Sequence, residues 1–109
     1  MATADDFRRI ALSFPGAAES AHMKHPDFRV AGKIFATLGY PNADWGMVQL
    51  MPEQQEDFMG LAPEAFQPAS GAWGRKGSTL VKLEKVPEDL LETALTAAWR
   101  RRAPLGLQP

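Results

Sequence analysis

The sequence predicts a two-layer α+β domain, with helices packed on one face of a mainly antiparallel sheet. Apolar residues recur at helical spacing near both ends of the chain, around Phe7 and around Leu91. Between Glu19 and Leu50 the pattern changes to short extended runs punctuated by Gly, Pro and Asn. The extended runs follow one another too closely for the crossover helices that repeated parallel pairing requires, which excludes a doubly wound fold.

A chain of 109 residues with 45% hydrophobic and 23% charged residues has the size and composition of one globular domain. The expected organisation is a single domain over residues 1–103 and a C-terminal tail over 104–109, with no repeat or linker inside it. The absence of cysteine suits a reducing compartment. The opening residues carry Asp5 and Asp6 where a signal peptide would be basic and then apolar, and no apolar run approaches the ~20 residues that span a bilayer. A soluble, cytoplasmic protein with no membrane partner is the expectation.

The first helix is expected from Ala4 to Ser13. Thr3 can cap it, Asp5 and Asp6 suit the positive end of its dipole, and Pro15-Gly16 stops it. Phe7, Ile10, Ala11 and Phe14 form its apolar stripe. The stretch Phe28 to Leu38 reads as a hairpin turning at Ala31-Gly32, where glycine supplies a positive φ. Strict alternation then places Phe28, Val30 and Phe35 on one face and Ile34, Ala36 and Leu38 on the other. A further strand runs from Trp45 to Leu50, and a second helix starts at Pro52 and ends near Met59. Residues 66–77 read as loop, and Ser78 to Leu83 as a strand. Pro87 opens the last helix, Glu88 and Asp89 occupy its first turn, and Arg100, Arg101 and Arg102 close it, all in accord with the dipole. Leu90, Leu91, Ala94, Leu95, Ala98 and Trp99 form its buried stripe.

Net charge is −1, but the charges are segregated. No Lys or Arg falls between Lys33 and Arg75, where Asp44, Glu53, Glu56, Asp57 and Glu64 occur. Lys24, His25, Arg29 and Lys33 cluster around the first hairpin, and Trp73, Arg75 and Lys76 mark a second group. Cations meet phosphates, and an aromatic can stack on a base, so these seven residues are the candidate nucleic-acid contacts. Other chemistry is poorly served. There is no cysteine nucleophile and no Gly-x-Ser-x-Gly elbow, so no catalytic residue is assigned. Gly71, Gly74 and Gly77 match neither phosphate-loop fingerprint, which leaves no cofactor expected; they read as a turn between strands with Arg75-Lys76 at its tip. Glu19, His22, His25 and Asp27 offer four possible metal ligands, but their spacing does not guarantee convergence, and they read as surface and turn residues.

Several segments together resemble the MmcQ/YjbR family over nearly the whole chain. They are Ala11 to Ala17 with its Leu-x-x-Pro-Gly stop, His22 to Val30 with His-Pro-x-Phe-Arg-Val, Gly32 to Leu38 with Gly-Lys-Ile-Phe-Ala, and the glycine-tryptophan segment Gly71 to Thr79. Trp99 stands where that family's closing helix carries an aromatic. The resemblance implies a CyaY-like (frataxin-like) fold and a DNA-binding role through a "double wing" of hairpins. The wing contacts would fall at Lys24, Arg29, Lys33, Arg75 and Lys76. Two other expectations are protein–protein contact through an uncovered sheet face bearing Phe28, Phe35 or Trp45, and metal binding by analogy with the frataxin-like fold.

Overall fold

A computed structural model describes residues 2–108. Met1 and Pro109, the outer ends of the expected domain and tail, lie outside the described residues. Helix α1 spans Ala4–Leu12. Its start is a reciprocal capping box: the Asp6 amide donates to Thr3 Oγ1 at 3.1 Å, and the Thr3 amide donates to Asp6 Oδ2 at 3.0 Å. Strands β1 (Ala18–His22) and β2 (His25–Val30) form a hairpin, with Met23 and Lys24 at φ 50° and 67°. Strand β3 (Lys33–Leu38) follows the predicted Ala31-Gly32 turn, whose φ values are 51° and 78°. Positive φ at both central residues is what a tight two-residue hairpin turn needs to follow the twist of its strands.

Strand β4 is Trp45–Gln49, and helix α2 is Pro52–Leu61. Helix α2 runs past the expected end near Met59, through Gly60, and stops before Pro63, whose ring disfavours helix in the residue preceding it. The stretch expected as loop holds an edge strand β5 (Phe66–Pro68) and a short helix α3 (Gly71–Arg75). Strand β6 (Ser78–Lys82) and helix α4 (Glu88–Arg102) complete the domain, followed by a 3-10 turn at Leu105–Leu107. The six strands lie in the order β1-β2-β3-β4-β6-β5, and every neighbouring pair is antiparallel.

Helices α1 and α4 cover one face of the sheet. The Phe7 ring lies against Gly46 of β4, where a Cβ would fall 2.6 Å from it, and packs on Phe28 at 5.9 Å between ring centroids. Trp99 of α4 stacks on Phe14 at 5.6 Å, and its indole N–H donates to the Pro15 carbonyl, tying the end of α1 to α4.

The hairpin departs from strict alternation. Phe28 pairs with Ala36 and Arg29 with Ile34, so Phe35 is the extra residue of a β-bulge. Phe35 and Ala36 are both fully buried and share the core with Phe28, Val30 and Leu38. Ala36 and Leu38 therefore join Phe28, and of the three residues assigned to the opposite face only Ile34 is there. The expected turn at Gly71 to Gly77 is corrected too. A Cβ on Gly74 would meet the Ala69 carbonyl oxygen at 1.8 Å, and one on Gly77, at φ +110°, would meet the Leu50 carbonyl oxygen at 1.8 Å. These glycines permit backbone to lie on backbone around α3. Arg75 and Lys76 end that helix instead of tipping a turn between strands.

Candidate functional site

Residues paired across antiparallel strands share a face, and this places a row of side chains on the side of the sheet away from α1 and α4. Asp27 pairs with Thr37, Arg29 with Ile34, Thr37 with Met47, and Gln49 with Ser78. Trp73 of α3, Lys33 at the start of β3, Tyr40 after β3 and Arg102 at the end of α4 stand around this row. Together they enclose an open cleft of about 790 Å³. Arg29, Lys33, Arg102 and His22 line it, and among the described residues no carboxylate does. Trp73 is 72% exposed, so its ring face is open to a ligand.

Under the cleft lies Asp27, fully buried. Its carboxylate accepts from Arg29 Nε at 2.8 Å and Arg29 Nη2 at 3.1 Å, and Oδ2 lies 2.8 Å from His22 Nδ1. The hydrogen bonds from Arg29, joined by that of His22, hold the Asp27 carboxyl below its ordinary value against the opposing effect of burial. Asp27 is therefore ionised, and it positions Arg29 with a bidentate grip that leaves the guanidinium partly exposed in the cleft.

The run Arg100-Arg101-Arg102 splits three ways, because successive residues on a helix point about 100° apart. Arg100 lines a shallow groove beside Gln54 and Glu92. Arg101 turns inward: its Nη1 donates to the Leu50 carbonyl and, at 3.4 Å, to that of Lys76. Burial, with the Arg102 charge beside it, lowers the Arg101 pKa. Arg102 reaches the cleft, and among the described residues its buried Nε has no hydrogen-bond partner.

The candidate contacts thus separate. Arg29, Lys33 and Trp73 gather in the cleft. Arg75 and Lys76 are exposed at the C-terminal end of α3 and outside the cleft lining. Helix α3 lies at the Lys33 end of the sheet, because β6 begins at Ser78, opposite the end of β4. Lys24 and His25 lie at the other end of β2, where the His25 ring packs edge-on to Tyr40 at 5.8 Å. His22, Tyr40 and Arg102 were not among the expected contacts. The sequence placed Arg102 at a helix terminus but held no sign that its side chain reaches around to the sheet's open face, and nothing local marks Tyr40.

Other expectations are corrected here. Phe28 and Phe35 are buried in the core, so they offer no uncovered aromatic surface. Trp45 is half-buried, with the Lys82 ammonium 5.7 Å from its ring centroid. Glu19 is engaged by Arg8 at 2.9 Å and Asp27 by Arg29. His22 and His25 pair across the β1–β2 turn with ring centroids 6.3 Å apart, so they share a face. Among the described residues, no three His, Cys, Asp or Glu side chains are placed to hold a metal ion. Nor is any described helix long and apolar enough to cross a membrane.

An antiparallel sheet with two helices on one face and a cationic cleft on the other defines the class: a small α+β domain with one open sheet face. The crystal structure of the Deinococcus radiodurans protein DR2400, with the domain DUF419, shares this fold. It matches with a TM-score of 0.80 and 21% sequence identity, covering 97% of this chain and 82% of that one. The YjbR family model matches residues 12–101, and the chain belongs to the YjbR family. No curated protein matches the sequence.

Proposed function

We propose that this protein binds single-stranded DNA weakly across the open face of its sheet. The observation that carries the reading is the cleft itself. In a chain of net charge −1, it is lined by Arg29, Lys33, Arg102 and His22, with no carboxylate among the described lining residues. Cations brought together in a concave surface raise the local concentration of a polyanion. Arg75 and Lys76, exposed at the same end of the sheet, extend the positive surface along which a backbone would run. Trp73 supplies a free ring face, and base–aromatic stacking favours a strand whose bases are unpaired. The DNA-binding role implied by the resemblance to MmcQ/YjbR proteins agrees with this site, although the contacts differ from a pair of hairpin tips: Lys24 lies outside it.

The test is titration of the intact protein with a fluorescently labelled oligothymidine at several salt concentrations. Association is expected at low ionic strength, weakening steadily as salt rises, with Trp73→Ala and Lys33→Glu each reducing it. Wild-type protein that shows no salt-dependent association at low ionic strength overturns the reading.

A further inference from the structure

We infer that the cleft is built to seat a phosphomonoester, the terminal phosphate of a nucleotide or of a strand end, in preference to an internal phosphodiester. The inference uses the same cleft as the strand-binding reading and deepens it by naming the group that is recognised.

Charge matching is the first reason. Both Asp27 oxygens are taken by the Arg29 fork, so the Arg29 charge is already balanced from beneath. Among the described residues, neither Lys33 nor Arg102 pairs with a carboxylate. Two uncompensated positive charges therefore face one cleft. An internal phosphodiester brings a single negative charge, whereas a phosphomonoester brings about −1.5 to −2 near neutrality and three acceptor oxygens.

The second reason is independent of the charge count. Among the described residues the Arg102 Nε is buried and has no acceptor, an exception among buried polar groups. A guanidinium edge offers parallel N–H donors that fit two oxygens of one oxyanion. The Arg102 side chain as a whole is only half-buried and lines the cleft, so a phosphate entering there meets the rest of its guanidinium while Nε stays behind it. The exposed Trp73 ring lines the same cleft and offers a face to the planar base of the same molecule. Phosphate and ring together specify a nucleotide unit.

Calorimetric titrations of the intact protein with adenosine 5′-monophosphate and with adenosine test this, alongside short oligothymidines bearing a 5′-phosphate, a 3′-phosphate or hydroxyl ends. The terminal phosphate is expected to tighten binding about tenfold in at least one of these pairs. Arg102→Gln should abolish that advantage, and Arg102→Lys, which keeps the charge without the fork, should restore only part of it. Circular dichroism checks that each variant is folded; if the Arg102 variants are not, Lys33→Gln replaces them and should also remove the advantage. If the monophosphate binds in an Arg102-dependent manner and no strand does, the phosphomonoester site stands and the strand-binding reading falls. If strands bind equally well with phosphate or hydroxyl ends, and the monophosphate binds no better than adenosine, the site is refuted while strand binding survives. Full phosphate preference in folded Arg102→Gln likewise refutes it.

Discussion

Asp27 does not line the cleft, yet it decides where Arg29 stands. The carboxylate is fully buried, while the side chains of its partners Arg29 and His22 keep 35% and 39% exposure. Solvent screens such half-exposed partners, so the pair is worth less than a fully buried one. Asp27→Asn is expected to cost about 1–2 kcal/mol near neutrality. The pH dependence follows from its depressed pKa. The unfolded carboxyl titrates near 3.8, the folded one lower, so the stabilisation is present above that value and is lost as pH falls through the folded pKa. Urea unfolding of wild type and Asp27→Asn should therefore show a gap near neutrality that shrinks as the pH falls below 3.8. Asp27→Asn should also weaken ligand binding, because Arg29 loses the two bonds that hold it at the cleft.

Helix α3 is short, and its position depends on what surrounds it. Gln55 of α2 is buried, and its Nε2 lies within hydrogen-bond range of the Gly74 carbonyl, the Ser78 carbonyl and Thr79 Oγ1, at 3.0, 3.1 and 3.1 Å. That side chain fastens the segment carrying Trp73 to a helix that contributes nothing to the cleft lining. Gln55→Leu keeps the bulk but leaves those acceptors short of a donor, and should cost about 1–3 kcal/mol in thermal or urea unfolding. It should also lower ligand affinity although Gln55 touches no ligand. Gly77→Ala is harsher. The methyl group would collide with the Leu50 backbone and the residue would be held at φ +110°, so a loss of about 3 kcal/mol or more is expected. A folded Gly77→Ala protein with wild-type stability would show that the close approach is not required.

For the molecule as a whole, a net charge of −1 gives no global attraction to a polyanion, so binding must come from one face. Arg75 and Lys76 add to that face without lining the cleft. Reversing both to Glu should leave stability nearly unchanged, since both are exposed, and should reduce the slope of log affinity against log salt by about 1 to 1.5 units for a single strand. Reversal at Lys24, at the other end of β2, should have a smaller effect on the same slope. Equal effects at the two ends would mean that the strand does not follow the cleft and α3.

The sequence by itself determined those features whose causes lie within a few residues. Thr3 and Asp6 cap α1, and Pro87 with Glu88 and Asp89 opens α4. Ala31-Gly32 turns the β2–β3 hairpin. Each needs only short-range sterics, a local hydrogen bond or the helix dipole, so the α+β class and most element boundaries were legible. The helix hidden in residues 71–75 was not, because its glycines answer to the Ala69 and Leu50 carbonyls and not to a local turn. The bulge at Phe35 also escaped alternation, since a bulge is settled by how two strands share one core. Only the tertiary structure brought Arg29, Lys33, Trp73 and Arg102 around one cleft. They come from two strands and two helices, and their convergence depends on strand order, on the bulge and on where α3 and α4 end. Those are outcomes of long-range packing, which local propensity does not encode.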